Sequence, residues 1–278
     1  MKSRKFLSVV LVVCIISLFA GVVCADQIKM GVLAKLNMTS EEYHKAALSR
    51  DAKGDTAIFS SGSSEVVSRV FYDSLTALVM ALNAGEVDEI ALPQDVGEYV
   101  MNANDGFKLA AIVRTMPSYL AIGFRKDDDP ALRNKFNEAL LAMKADGTLA
   151  ILRAKYIDEP GLDEPLPVKF EAYENVDAKI KVAVTGDLPP IDFIAADGTP
   201  AGFNTAVLAE IGKRLKINIE LVNIESGARA AALASGRADA VFWIQYDKIE
   251  GIQADVPEGI ALSEPYYNWN QMFGIRKK

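Results

Sequence analysis

The sequence predicts an α/β fold, arranged as one large domain or two modest lobes with an organisational boundary between them. Three observations carry this. Residues 68–93 hold a strand, a helix and a second strand in 26 residues, the βαβ unit of a parallel sheet. The same alternation recurs over 179–243. Between these regions, residues 158–178 carry three prolines and seven acids in 21 residues, the composition of a linker. Fully extended, that stretch reaches about 70 Å.

The elements follow in order. Residues 27–37 read as a short apolar strand ending in a polar loop. Residues 39–52 read as a helix capped by Thr39 or Ser40, with Glu41 and Glu42 at the positive end of its dipole. The Ser/Gly run 60–64 is a break or the tip of a hairpin. Val70, Phe71 and Tyr72 begin the next strand. Asp73 or Ser74 caps a helix whose apolar face is Leu75, Leu78, Val79 and Leu82, and Gly85 stops it. Residues 87–92 form the following strand. Residues 108–126 read as two strands separated by Pro117. Residues 130–157 read as a helix begun by Pro130, a turn at Asp146 and Gly147, and a second helix. After the linker come a strand at 179–184 and a loop with a tight turn at Asp197 and Gly198. A helix capped by Asn204 or Thr205 follows, then a strand at 217–224, a helix ending at Gly236, a strand, and an extended close at 262–278.

Composition bounds the function. The chain has 278 residues and a net charge of −7. It opens with Lys2, Arg4 and Lys5, an apolar run from Phe6 to Cys24, and small residues before Asp26. That pattern predicts an export signal over residues 1–25, with a retained membrane anchor as the rival. Cys24 is the alternative point of lipid attachment. Both cysteines, Cys14 and Cys24, lie in this segment, so cleavage after Ala25 leaves no thiol for disulfides or metal. It also leaves 27 basic against 37 acidic residues, a net charge of −10. No Lys/Arg stripe appears, so nucleic acid is not an expected partner. The single histidine, His44, accompanies no nucleophile motif. Neither a metal, a cofactor nor a catalytic residue is expected.

Several stretches together resemble a known family. Residues 186–215, reading GDLPPIDFIAADGTPAGFNTAVLAEIGKRL, followed by ALASGRADAVFW and LSEPYY, resemble the first lobe of the extracellular solute-binding proteins of family 3. These are the polar amino-acid receptors of ABC importers. Residues 70–100 resemble the second lobe, and residues 119–157 resemble the closing helices that return to the first. The resemblance implies a type II periplasmic-binding-protein-like fold, two α/β lobes joined by crossing hinge strands. The order departs from the family's: second lobe, closing helices, linker, first lobe. Each piece occurs once, so the expected arrangement is a circular permutation, with a tandem of two shortened domains as the rival. The expected organisation is a signal peptide at 1–25, lobe A at 26–116 and a hinge crossing at 117–126. Closing helices at 127–157 and the linker at 158–178 precede lobe B at 179–263 and a second hinge crossing at 264–278.

In open α/β sheets, ligands bind beyond the carboxyl ends of the strands. In lobe B that points to Asp187 and Leu188. The family often places an aromatic near Leu188, a role Phe193 can take. It also points to Phe242, Trp243 and Gln245. The family's Arg for an α-carboxylate, in a Thr-Pro-Glu-Arg-like motif, is missing; Lys248 and Arg229 are the nearest substitutes, and a lysine is the weaker clamp. In lobe A the candidates are Lys35, Asn37 and Thr39 after the first strand, where the family has a Gly-Thr-Thr-like sequence. Gln94 and Asp95 follow a later strand; Asp95 matches the family's ammonium-binding aspartate, displaced by about two positions. Arg114 lies beside the crossing strand.

The resemblance implies an exported, monomeric receptor for a small polar, amino-acid-like solute, delivered to a membrane ABC permease. A sensor or adaptor module without transport is the second reading. A dehydratase on the same fold is the third, with Asp187, Asp95 and Glu225 as conceivable acids but no constellation among them.

Overall fold

The computed structural model describes residues 28–34, 67–159, 165–174, 179–247 and 256–278, without the side chains of 113–117. The expected leader, Cys24, the helix at 39–52, His44 and the site candidates Lys35, Asn37 and Thr39 lie outside these residues, as does Lys248.

Among the described residues, nine strands form the main sheet, in the order β2-β1-β3-β12-β4-β10-β5-β9, with β11 on β4. On one side, β1 (Ile28–Leu33), β2 (Val67–Tyr72) and β3 (Glu89–Pro93) run parallel. On the other, β10 (Ala240–Asp247), β5 (Lys179–Val184) and β9 (Asn218–Asn223) run parallel as a second set. Two antiparallel strands between them serve both sets. The first is β4 (Phe107–Arg125), 19 residues long; the second is β12 (Tyr267–Lys277). Among the described residues, the first part of β4 pairs with β12, and its last part pairs with β10 and with β11 (Ile260–Leu262) as well.

Pro117 does not divide β4 in two, contrary to the sequence expectation. The β4–β12 ladder shifts register between Trp269, opposite Ser118, and Gln271, opposite Arg114. Pro117 falls in that irregularity, where a missing N–H costs the ladder little.

The helices follow from caps and periodicity. Helix α1 (Leu75–Ala84) starts where Ser74 accepts a hydrogen bond from the Ala77 N–H and ends at Gly85, whose φ is 75°. Its buried face is Leu75, Leu78, Ala81 and Leu82. Helix α2 (Gln94–Asn102) follows β3 at once, with Asp95 in its first turn. Helices α3 (Ala131–Ala145) and α4 (Thr148–Arg153) follow β4, and a π turn at Ala154–Asp158 extends α4. Both pack on α5 (Phe203–Leu215), in the second set. Helix α6 (Arg229–Ala234) covers β10 and β5. Between β5 and α5, a small sheet joins β6 (Asp187–Leu188), β7 (Asp192–Ile194) and β8 (Pro200–Ala201).

The cap of α5 differs from expectation. Gly202 precedes the helix at φ 90°, and Asn204 and Thr205 lie buried inside its first turn. A Cβ at position 202 would stand 2.6 Å from the Pro190 carbonyl oxygen, so only glycine fits the turn. The linker also behaves differently over its described part. Val168 donates its N–H to the Pro200 carbonyl and is buried, and the Tyr173 N–H binds the Asn218 side chain. Apolar side chains at Leu166, Val168 and Phe170 hold this acidic stretch against the second set.

One buried cluster runs through the whole arrangement. It passes from Leu78 of α1 through Leu120 and Ile122 of β4 to Phe136 of α3 and Val207 of α5.

Candidate functional site

The carboxyl ends of the two parallel sets face each other. The loop after β1 supplies Ala34; the turn after β2 supplies Asp73 and Ser74; the end of β3 supplies Gln94 and Asp95. Opposite them stand Thr185 to Leu188 after β5, Ser226 after β9, and Tyr267 at the start of β12.

Among the described residues, hydrogen bonds cross this junction at three places. The Leu75 N–H, the first of helix α1, donates to the Asp187 carboxylate at 2.8 Å. An N-terminal helical N–H has no partner within its helix, and the helix dipole favours an anion there. The Ser226 hydroxyl donates to the Ala34 carbonyl at 3.3 Å. The Tyr267 hydroxyl donates to the Asp95 carboxylate. Arg153 of α4 lies over the Tyr267 ring, 5.4 Å from its centroid, and pairs with Asp158 at 3.3 Å.

The carboxylates at this junction are partly desolvated. Burial pushes Asp187 above the usual carboxylate range, and the Leu75 N–H pulls the other way. Burial raises Asp95 in the same manner, against the Tyr267 hydroxyl and Arg153. Burial, and then the Asp95 charge, push the Tyr267 phenol far upward.

Beneath the β5 loop lies a buried polar layer. One oxygen of Asp192 accepts from the Thr185 N–H at 3.0 Å, the Thr185 hydroxyl at 3.1 Å and the Gly186 N–H at 3.3 Å. This fixes the loop that presents Asp187. The Trp243 indole N–H donates to the Thr185 hydroxyl at 3.4 Å. Arg229 stacks on the Trp243 ring at 4.0 Å and donates to the Phe242 carbonyl at 2.5 Å. The backbone explains that arrangement. The β10–β4 ladder shifts register between Val241 and Ile244, and Trp243 sits there with φ 47°. The shift releases the Phe242 carbonyl to the guanidinium. Among the described residues, the second Asp192 oxygen, the Asn204 amide and the Tyr266 hydroxyl have no hydrogen-bond partner.

The structure distributes the sequence candidates unevenly. Asp95 and Asp187 stand at the junction. Gln94, beside Asp95, donates to Glu98 at 2.8 Å. Phe193, half-buried, pairs with Asp187 in the small sheet. Trp243 forms the floor. Leu188, Arg229 and Phe242 are 1%, 1% and 0% exposed, and pack in the interior. Arg229 in particular is not a solvated helix residue: it shares a helix face with Leu233, four residues on, which is equally buried. Gln245 donates to Ser118 at 2.9 Å, tying β10 to β4. The backbone of Arg114 pairs with Gln271. Glu225 is exposed at the start of the Ser226 turn.

Leu75, Arg153, Asp192, Ser226 and Tyr267 were not legible as site residues. An i, i+4 reading of Arg229 with Leu233 would have turned Arg229 inward. Nothing local marks Leu75 as the partner of a residue 112 positions away.

Among the described residues no cluster of His, Cys, Asp and Glu could hold a metal ion, and no helix is long and apolar enough to cross a membrane. A depression of about 440 Å³ lies elsewhere, at the amino end of β5. Its Arg125 is already bound to the Leu233 and Ala238 carbonyls and to Asp128.

Residues 180–278 match the bacterial extracellular solute-binding proteins, family 3. The matched segment spans β5 to β12 and includes every lobe-B candidate named above. No curated protein matches the chain. Similar solved structures include the ligand-binding component of an ABC-type import system from Staphylococcus aureus, with zinc bound. It is 12% identical with a TM-score of 0.44, and the match covers 90% of this chain and 65% of that one. The alkanesulfonate-binding protein SsuA from Xanthomonas axonopodis pv. citri, bound to MOPS, is also 12% identical with a TM-score of 0.44, over 91% and 65%. The BvgS periplasmic domain of B. pertussis is 14% identical with a TM-score of 0.40, over 90% and 37%. The chain thus spans just under two thirds of the length of the first two.

Proposed function

We propose that this protein is an exported receptor that captures a small polar, amino-acid-like solute between its two halves and hands it to a membrane ABC permease. The observation that carries this is the opposition of two sets of parallel-strand carboxyl ends, joined among the described residues by two crossing strands, in a chain whose residues 180–278 match family 3. Closure over a solute would then be a hinge motion at β4 and β12. Asp187 and Asp95 suit an ammonium group. With Arg229 committed to Phe242, a carboxylate would be met by backbone N–H groups at a helix start.

The test is a thermal-shift screen of solute-stripped protein against amino acids, amines, peptides and sugars. At 100-fold saturation, a bound solute should add about 2.7 kcal/mol to stability. No shift with any class sinks the receptor reading.

We also propose that the chain is one circularly permuted receptor. Its described start and its end support this. Ile90 of β3 pairs with Gly31 of β1 on one side and with Ile275 of β12 on the other. The first and last strands are therefore two strand spacings apart, about 10 Å. Helices α3 and α4, which precede the linker, pack on α5, which follows it.

A further inference from the structure

The junction is held shut by the protein's own side chains, in a pattern that solute capture does not require. Helix α1 spans ten residues and belongs to the first half. Its leading N–H is taken by Asp187 of the other half, at 2.8 Å. The lip beside it is just as close: the Ser226 hydroxyl reaches the Ala34 carbonyl at 3.3 Å, and a Cβ on Gly227 would meet the Asp73 carboxylate at 3.4 Å. Asp187 is supported from behind. Its loop hangs on Asp192 through Thr185 and Gly186, and Gly186 holds φ 69°, a conformation in which an added Cβ would strike Ile194 at 2.9 Å. The loop that presents Asp187 is thus held by contacts within its own half, with no solute needed to aim it.

We propose that Asp187 is a latch: its carboxylate caps helix α1 across the junction and holds the two halves together in the absence of solute. The consequence rests on the receptor reading. A solute enters only the open fraction, so the latch lowers apparent affinity by that fraction, and a solute that takes over the helix start releases Asp187. The contact itself does not depend on that reading.

The full chain, stripped of solute by unfolding and refolding, is compared with Asp187→Ala and Asp187→Asn by small-angle X-ray scattering and amide hydrogen exchange. The wild type should scatter as the compact form and Asp187→Ala as a more extended one. Exchange of the Leu75 N–H should become about tenfold faster in Asp187→Ala. Asp187→Asn, which keeps a neutral acceptor, should fall between. Unchanged exchange within β3 and β5 distinguishes opening from unfolding. A solute-free wild type as extended as Asp187→Ala, or a Leu75 N–H indifferent to the substitution, overturns the latch. The solute screen, run on both proteins, keeps the two ideas apart. An open wild type that responds to a solute loses the latch and keeps the receptor. A closed wild type that Asp187→Ala opens, with no solute response in either, keeps the latch and loses the receptor.

Discussion

Asp192 is 1% exposed and carries an uneven load: three donors on one oxygen and, among the described residues, none on the other. The donors and nearby Arg229 favour its charge, but burial outweighs them and raises its pKa. For an acid raised in the folded state, stability is greatest below the ordinary carboxylate range and is lost as pH rises through the raised value. At neutral pH the carboxyl is therefore a burden on folding. Asp192→Asn keeps an acceptor for Thr185 and Gly186, and replaces the unpaired second oxygen of a charged group with a neutral amide NH2. It should gain on the order of 1 kcal/mol at neutral pH, as buried charges replaced by neutral isosteres can. The gain should fade in mild acid. Urea titrations at the two pH values check this; a loss at neutral pH would show that the Arg229 charge outweighs desolvation after all.

Elements meet through short polar clamps as well as apolar faces. Asp146, between α3 and α4, accepts from the Thr148 N–H at 3.0 Å and hydroxyl at 2.6 Å, and pairs with Arg214 of α5 at 2.9 Å. The Thr148 side chain, then its N–H, then Arg214 hold its carboxyl down to about 2, against an ordinary 3.8. The sign is opposite to that of Asp192. The stabilisation is whole above 3.8 and is lost as pH falls through about 2. Asp146→Asn should flatten the acid limb of the melting-temperature profile in that window, with little pH dependence added elsewhere. A variant whose acid limb matches the wild type would mean that the clamp does not persist in solution. The elements themselves were largely legible. Ser74, one of the two caps read, and Gly85 bound α1, because caps are local chemistry. The cap of α5 was misread because Gly202 starts that helix by close approach to the Pro190 carbonyl, a contact formed only when the loop folds back.

At the scale of the molecule, the order of segments becomes a prediction. If the chain is a re-joined receptor, a gene encoding 158–278 before 26–157 should fold to the same main sheet. Its melting temperature should lie within about 4 °C of the parent's, since reconnection changes loop closure by roughly a kcal/mol. Its solute response should be unchanged. Two independently melting units, separable by proteolysis within 158–178, would instead favour the tandem.

The sequence by itself determined the α/β class, the strand–helix–strand units, the family resemblance and most helix limits. Those depend on periodicity, caps and turn residues within a dozen positions of one another. Only the tertiary structure decided which residues meet. It buried Arg229 on Trp243, made β4 continuous through Pro117, laid the acidic stretch on the second set, and set Asp187 on helix α1. The reason is that each of these outcomes depends on a partner far off in the chain, through a register shift, a released carbonyl or an unpaired helical N–H. No local pattern records the position of such a partner.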